Sequence, residues 1–146
     1  MNKQEIMRIL PHRGGMLLMD EVTLDEDGAA VATYKVRGDE FFFDGHFPGN
    51  PVMPGVILCE IMAQTCCILL EGQKGVPMYT GLNKVKFKNP VRPGDVLKST
   101  ARITKRKRIF YFAEGRITAN GSLCFSGEFS FAVLPEQKKE DNDDAE

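Results

Sequence analysis

The chain has 146 residues, 42% of them hydrophobic and 27% charged, with a formal net charge of −1. That length is enough for one domain with a real core and no staples. No apolar run reaches the 18 residues that a membrane-spanning helix needs, and the N-terminal MNKQEIMRILPHR lacks the long apolar stretch of a secretory signal, so the expected location is the cytoplasm.

In chain order, Gln4–Leu10 reads as a short helix with Ile6, Ile9 and Leu10 on one side, ended by Pro11. Met16–Val22 and Ala29–Val36 read as strands joined by the turn-forming DEDG. A loop rich in Phe, Gly and Pro, Phe41–Pro54, follows. From Gly55 to Glu71 the sequence is apolar almost all round, which marks a helix buried on most sides, with Gly72 as its C-cap. The pattern then switches to period two. Strands are expected at Tyr79–Phe87, Val96–Thr104, Ile109–Ala119 and Leu123–Leu134, with turns at Pro93-Gly94-Asp95 and Asn120-Gly121. The layout predicts an α+β fold, one buried helix wrapped by a curved antiparallel sheet of about six strands. Such a sheet keeps open edges, which suits a partner subunit.

Residues 136–146, EQKKEDNDDAE, hold six acids and two lysines, leaving a net +3 on residues 1–135. The expectation is one domain over 1–135 and a disordered acidic tail over 136–146. A body charge of +3 without a binding motif disfavours nucleic acid. Cys59, Cys66, Cys67 and Cys124 form no C-x-x-C pair and read as small buried hydrophobes in a reducing compartment; their spacing does not suit zinc.

The chemistry-bearing residues lie in GHFPGNPVMPGVILCEIMAQ, Gly45–Gln64. His46 sits on a loop stiffened by Pro48, Pro51 and Pro54, and Glu60 lies among Leu58, Cys59, Ile61 and Met62. Taken alone, His46 is either a histidine tied to the loop backbone or a base titrating near neutral pH. Glu60 is either a helix glutamate at an interface or a carboxyl acid whose pKa is raised by burial. Gln64 is one turn on from Glu60 and placed to hold its side chain. Gly55, after Pro54, is either an ordinary helix start or a bare backbone N–H that a ligand oxygen can approach. His12, between Pro11 and Arg13, is read as structural, tying the N-terminal segment to the sheet.

Three blocks resemble one family. LPHRGGMLLMDEV (Leu10–Val22), the central GHFPGNPVMPGVILCEIMAQ and NKVKFKNPVRPGD (Asn83–Asp95) are similar, in register, to the 3-hydroxyacyl-acyl-carrier-protein dehydratases. The resemblance implies the hot-dog fold and assembly from dimers, often three of them, with sites at the dimer interface. It implies dehydration of (3R)-hydroxyacyl carrier-protein thioesters to trans-2-enoyl products in fatty-acid synthesis, without cofactor or metal. It casts His46 as base, Glu60 of the other subunit as acid and Gly55 as oxyanion donor, supported by Pro54 and Gln64. Its partner is an acidic carrier protein, for which Lys84, Lys86, Lys88, Arg92 and Lys105–Arg108 are candidate contacts. Gly14-Gly15-Met16 departs from the family's Tyr-Pro-Phe-like triplet, a change bearing on chain-length preference. Rival readings are a dehydratase that also isomerises trans-2 to cis-3 chains, a hot-dog thioesterase and a non-catalytic acyl-carrier binder. Relatives known for isomerisation usually carry Asp at the Glu60 position, which favours the simple dehydratase.

Overall fold

The structure, a computed structural model, describes residues 1–70 and 75–135. The expected acidic tail and the Gly72 cap lie outside the described residues. Helix α1 spans Lys3–Ile9. It starts one residue before the apolar pattern because Asn2 and Glu5 form a reciprocal capping box. At its other end the Arg13 guanidinium donates to the carbonyls of Met7, Leu10 and His12, satisfying acceptors that the helix leaves open.

The strand expected over Met16–Val22 is not formed as such. Gly14–Met16 is a 3₁₀ turn, residues 17–20 are irregular, and strand β1 is only Glu21–Leu24. Leu17, Leu18 and Met19 are all buried, so this run does not alternate as a half-exposed strand would. Its backbone finds a side chain instead: Gln64 accepts from the Leu18 N–H at 3.0 Å and donates to the Met16 carbonyl at 2.7 Å. Strand β2 is Ala30–Lys35, β3 Val76–Phe87, β4 Val96–Lys107, β5 Phe110–Ala119 and β6 Ser122–Leu134.

All six strands lie in one antiparallel sheet, in the order β1-β2-β4-β5-β6-β3. The β5–β6 connection is the expected Asn120-Gly121 hairpin turn, with both residues at positive φ. Helix α2, Gly55–Ile68, packs along the sheet. Leu58, Ile61 and Met62 on the helix meet Leu97, Ile117, Phe125 and Phe129 on the sheet in the main core. Gly115 lets the helix come close: a Cβ there would lie 2.3 Å from the Met62 sulfur and 2.8 Å from the Thr100 carbonyl oxygen. Thr65 adds a buried polar tie, its hydroxyl 2.7 Å from that of Ser99 on β4. The helix ends earlier than its apolar run, at Ile68, where the Leu69 N–H closes onto the Cys66 carbonyl and the Leu70 N–H onto that of Cys67. This is the hot-dog architecture. All four cysteines are free thiols, and burial pushes the Cys66 thiol up strongly and that of Cys124 up to about 11.

Candidate active site

The loop that carries His46 is anchored at its start by Glu40. This carboxylate, 5% exposed, accepts from the Tyr34 hydroxyl at 2.7 Å and from the N–H groups of Arg37 and Gly38 at 3.0 and 2.7 Å. Burial works to raise its pKa, but the bonds from Tyr34 and the two amides favour the charged form and hold it below the usual carboxylate range. Burial and the same contact push the Tyr34 hydroxyl well up. Beyond the 3₁₀ turn Phe41–Phe43, the chain closes on itself around His46. The His46 N–H donates to the Phe43 carbonyl at 3.1 Å, and the His46 carbonyl accepts from the Val52 N–H at 3.1 Å. The Met53 N–H reaches the Val91 carbonyl at 2.8 Å, and Arg92 donates to the Asn50 side chain at 2.6 Å. Backbone closure therefore works alongside the prolines expected to stiffen this loop.

The His46 ring stacks on Phe47, with centroids 4.3 Å apart, and its Nδ1 lies 2.9 Å from the Val52 carbonyl. A carbonyl only accepts, so Nδ1 carries the hydrogen and Nε2 presents a lone pair. The first of the two readings is what the geometry shows: one ring nitrogen is tied to the loop backbone.

Glu60 projects from the middle of α2, and its side chain is 28% exposed. It is not walled by apolar groups as the helix sequence suggests. Its Oε2 accepts from Gln64 Nε2 at 3.0 Å and lies 3.1 Å from His12 Nε2. Gln64, with no exposure, spends its amide on three partners: Leu18, Met16 and Glu60. His12 was expected to tie the N-terminal segment to the sheet; it meets the helix at Glu60 instead. The sequence carried one signal for this, the position of His12 inside the LPHR block. Near Glu60, burial and then the Glu60 charge push the Cys67 thiol up to about 12, while burial raises the Tyr79 hydroxyl further. Neither is ionised at neutral pH.

Gly55 is the first residue of α2, and its N-cap Pro54 offers no side-chain acceptor to the first turn. A Cβ on Gly55 would lie 2.9 Å from the Phe87 ring, so close packing is one reason for glycine here. Among the described residues, no hydrogen bond or ion pair joins His46 to Glu60; each has its own partners. Two clefts, of about 590 and 400 Å³, involve neither of them. The first holds Lys84 and Lys86 together with Asp25, Asp27, Glu114 and Glu128, so these lysines face acids rather than forming a purely basic patch. Arg92 is the one basic candidate bonded to the His46 loop.

The sequence family of FabA-like domains matches residues 10–128. The 3-hydroxyacyl-[acyl-carrier-protein] dehydratase FabZ of Streptococcus pyogenes serotype M1 is 45% identical over 136 residues, covering 90% of this chain and 98% of that protein. The protein of the same name from Streptococcus equi subsp. equi strain 4047 is 43% identical over 136 residues, covering 90% and 97%. Among solved structures, the dehydratase heterocomplex ApeI:P from Xenorhabdus doucetiae aligns with a TM-score of 0.75 at 22% identity, over 90% of this chain and 91% of that one. A hypothetical thioesterase with coenzyme A from Streptococcus pneumoniae TIGR4 aligns with a TM-score of 0.63 at 17% identity, over 81% and 88%. At such identities these two show the shared fold alone. With a family match across most of its length and relatives above 40% identity over nine-tenths of it, the chain belongs to the FabA-like family, alongside the FabZ dehydratases.

Proposed function

We propose that the protein dehydrates (3R)-3-hydroxyacyl chains carried on an acyl carrier protein to trans-2-enoyl chains, in fatty-acid biosynthesis. The observation that carries this reading is that each key side chain is fixed through one polar atom and open at the other. His46 is held through Nδ1 and offers Nε2; Glu60 is held through Oε2 and offers Oε1. His46 Nε2 takes a proton from C2 of the thioester, and the C–H electrons form the C2–C3 double bond. The C3–O bond breaks as Glu60, protonated on Oε1, gives its proton to the departing hydroxyl, which leaves as water. The thioester oxygen gathers charge and is met by the backbone N–H of Gly55 at the uncapped start of α2. Exchange with solvent resets both groups.

The site is completed by a second copy of the chain, His46 of one facing Glu60 of the other. Supporting this, β3 is an open sheet edge bearing exposed Met78, Leu82 and Phe87, and Val56 at the start of α2 is 73% exposed. The carrier protein approaches on the Arg92 side of the His46 loop.

The test pairs chemistry with complementation. Incubation with a 3-hydroxyacyl carrier-protein substrate should give a product lighter by one water, with its double bond at C2. A bond at C3 would indicate isomerisation, and a free carrier thiol would indicate thioester hydrolysis. His46→Ala and Glu60→Gln should each lower turnover about 10²–10⁴-fold, the scale of a lost proton-transfer group. Refolding an equal mixture of the two variants should restore about a quarter of wild-type activity, since about half the dimers are mixed and each has one intact site of two. No recovery despite confirmed subunit exchange would reject the shared site.

A further inference from the structure

We infer that His12 is a positioning residue for Glu60: as a neutral imidazole protonated on Nε2, it donates to Oε2 and leaves Oε1 as the oxygen that handles the substrate's proton. The inference deepens the dehydratase reading and rests on it for its catalytic part. Three observations lead to it. His12 Nε2 is 3.1 Å from Glu60 Oε2. Gln64 Nε2, itself fully buried and immobilised by Leu18 and Met16, donates to that same oxygen from 3.0 Å. His12 Nδ1 is buried and has no hydrogen-bond partner.

The last observation fixes the tautomer. A hydrogen on Nδ1 would be a buried orphan donor, and on a cationic ring it would be more costly still, whereas a bare Nδ1 leaves only an unpaired lone pair. With its hydrogen on Nε2, the ring satisfies the Glu60 contact as a donor. Glu60 is the acid that His12 meets; the adjacent cation, Arg13, is turned away onto the carbonyls of Met7, Leu10 and His12. Cys67 and Tyr79, the other titratable groups that sense Glu60, are neutral near pH 7. Two donors then occupy Oε2, and a proton carried by Glu60 resides on Oε1. His46 has the reverse arrangement, with Nδ1 bound and Nε2 bare. The two histidines of the chain therefore adopt opposite tautomers.

The chain has only these two histidines, so ring nitrogen NMR reads both directly. At pH 7 the full-length protein should show His12 protonated on Nε2 and His46 on Nδ1. Glu60→Gln should shift the His12 ring signals. In turnover, His12→Ala should lower kcat about tenfold with KM within about twofold, as expected for loss of one hydrogen bond to a charged group that acts in the transition state. His12→Gln, whose amide can donate from nearly the same place, should recover most of that loss; a merely structural role would not separate the two variants in kcat. An Nδ1-protonated or cationic His12, His12 signals indifferent to Glu60→Gln, or unchanged kcat in His12→Ala would overturn the inference. If the wild type failed to dehydrate, the functional reading would fall, and the ring spectra would still decide how His12 meets Glu60.

Discussion

Replacing Gln64 by leucine keeps the apolar volume of the side chain and removes every polar tie it makes. In the wild type this one amide connects α2 to the N-terminal segment and to Glu60. The Leu18 N–H suffers most, because Leu18 has no exposure and water cannot replace the lost acceptor. An orphaned buried donor costs about 1–3 kcal/mol. Met16 is 37% exposed and Glu60 28%, so water can recover much of what their oxygens lose. Burying a leucine in place of an amide returns part of the cost, since no amide need be desolvated. The expected net loss is about 1–2 kcal/mol, a fall in Tm of roughly 3–6 °C for a domain near this size.

Thermal and denaturant unfolding at fixed protomer concentration would measure it, since mass action would otherwise distort the comparison. Gln64→Glu separates the two duties of the residue. It retains an acceptor for Leu18 but sets a second carboxylate against Glu60 and loses the donor to Met16. That variant should lose turnover more severely than Gln64→Leu at comparable stability. A Tm for Gln64→Leu within about 2 °C of wild type would correspond to less than about 1 kcal/mol and would refute the accounting.

Glu40→Gln should cost about 1–3 kcal/mol at neutral pH, because both carboxylate oxygens accept and the amide keeps only one of them, so its NH2 is set against either the Gly38 N–H or the Tyr34 and Arg37 donors. The folded pKa of Glu40 is depressed, so its contribution is present above the unfolded value of about 4.3 and is lost as pH falls through the folded value. Denaturant titrations should show wild type and variant converging below about pH 4, and a gap unchanged across that range would refute the assignment. Gly55→Ala brings a methyl within 2.9 Å of the Phe87 ring, which packs on Phe125 with centroids 5.6 Å apart, so stability should fall by about 1–3 kcal/mol. Gly55→Pro, which removes the N–H at the first helical position, should lower turnover about 10²-fold if the thioester oxygen sits there, and activity near wild type would remove Gly55 from the oxyanion role.

Much of the fold was legible because each pattern had a local cause. The apolar run after Gly55 could be buried only as a helix, Phe125, Phe129 and Phe131 alternated with small or polar residues, and Asn120-Gly121 supplied the positive φ values a two-residue turn needs. What was misread had distant causes. Residues 16–20 looked like a strand by composition, yet the partner of their backbone is a side chain 46 residues on. The early end of α2 was hidden by Leu69 and Leu70, which continue the apolar run after the helical bonds stop. Glu40 drew no notice, because nothing in a lone acid before three phenylalanines shows that a tyrosine and two amides converge on it.

The two halves of the candidate site divide along the same line. His46 is set by bonds within its own loop, to Phe43 and Val52, so its short motif contains nearly all the information that fixes the ring. Glu60 is set by His12, 48 residues earlier in the chain, and by a glutamine that is itself held by Met16 and Leu18. Changes in the His46 loop should therefore act directly on the His46 ring. Changes in the N-terminal segment, including Gly14-Gly15-Met16, reach Glu60 through the Met16–Gln64–Glu60 chain of hydrogen bonds. Through the Met16 carbonyl this triplet bears on how firmly the Glu60 side chain is held.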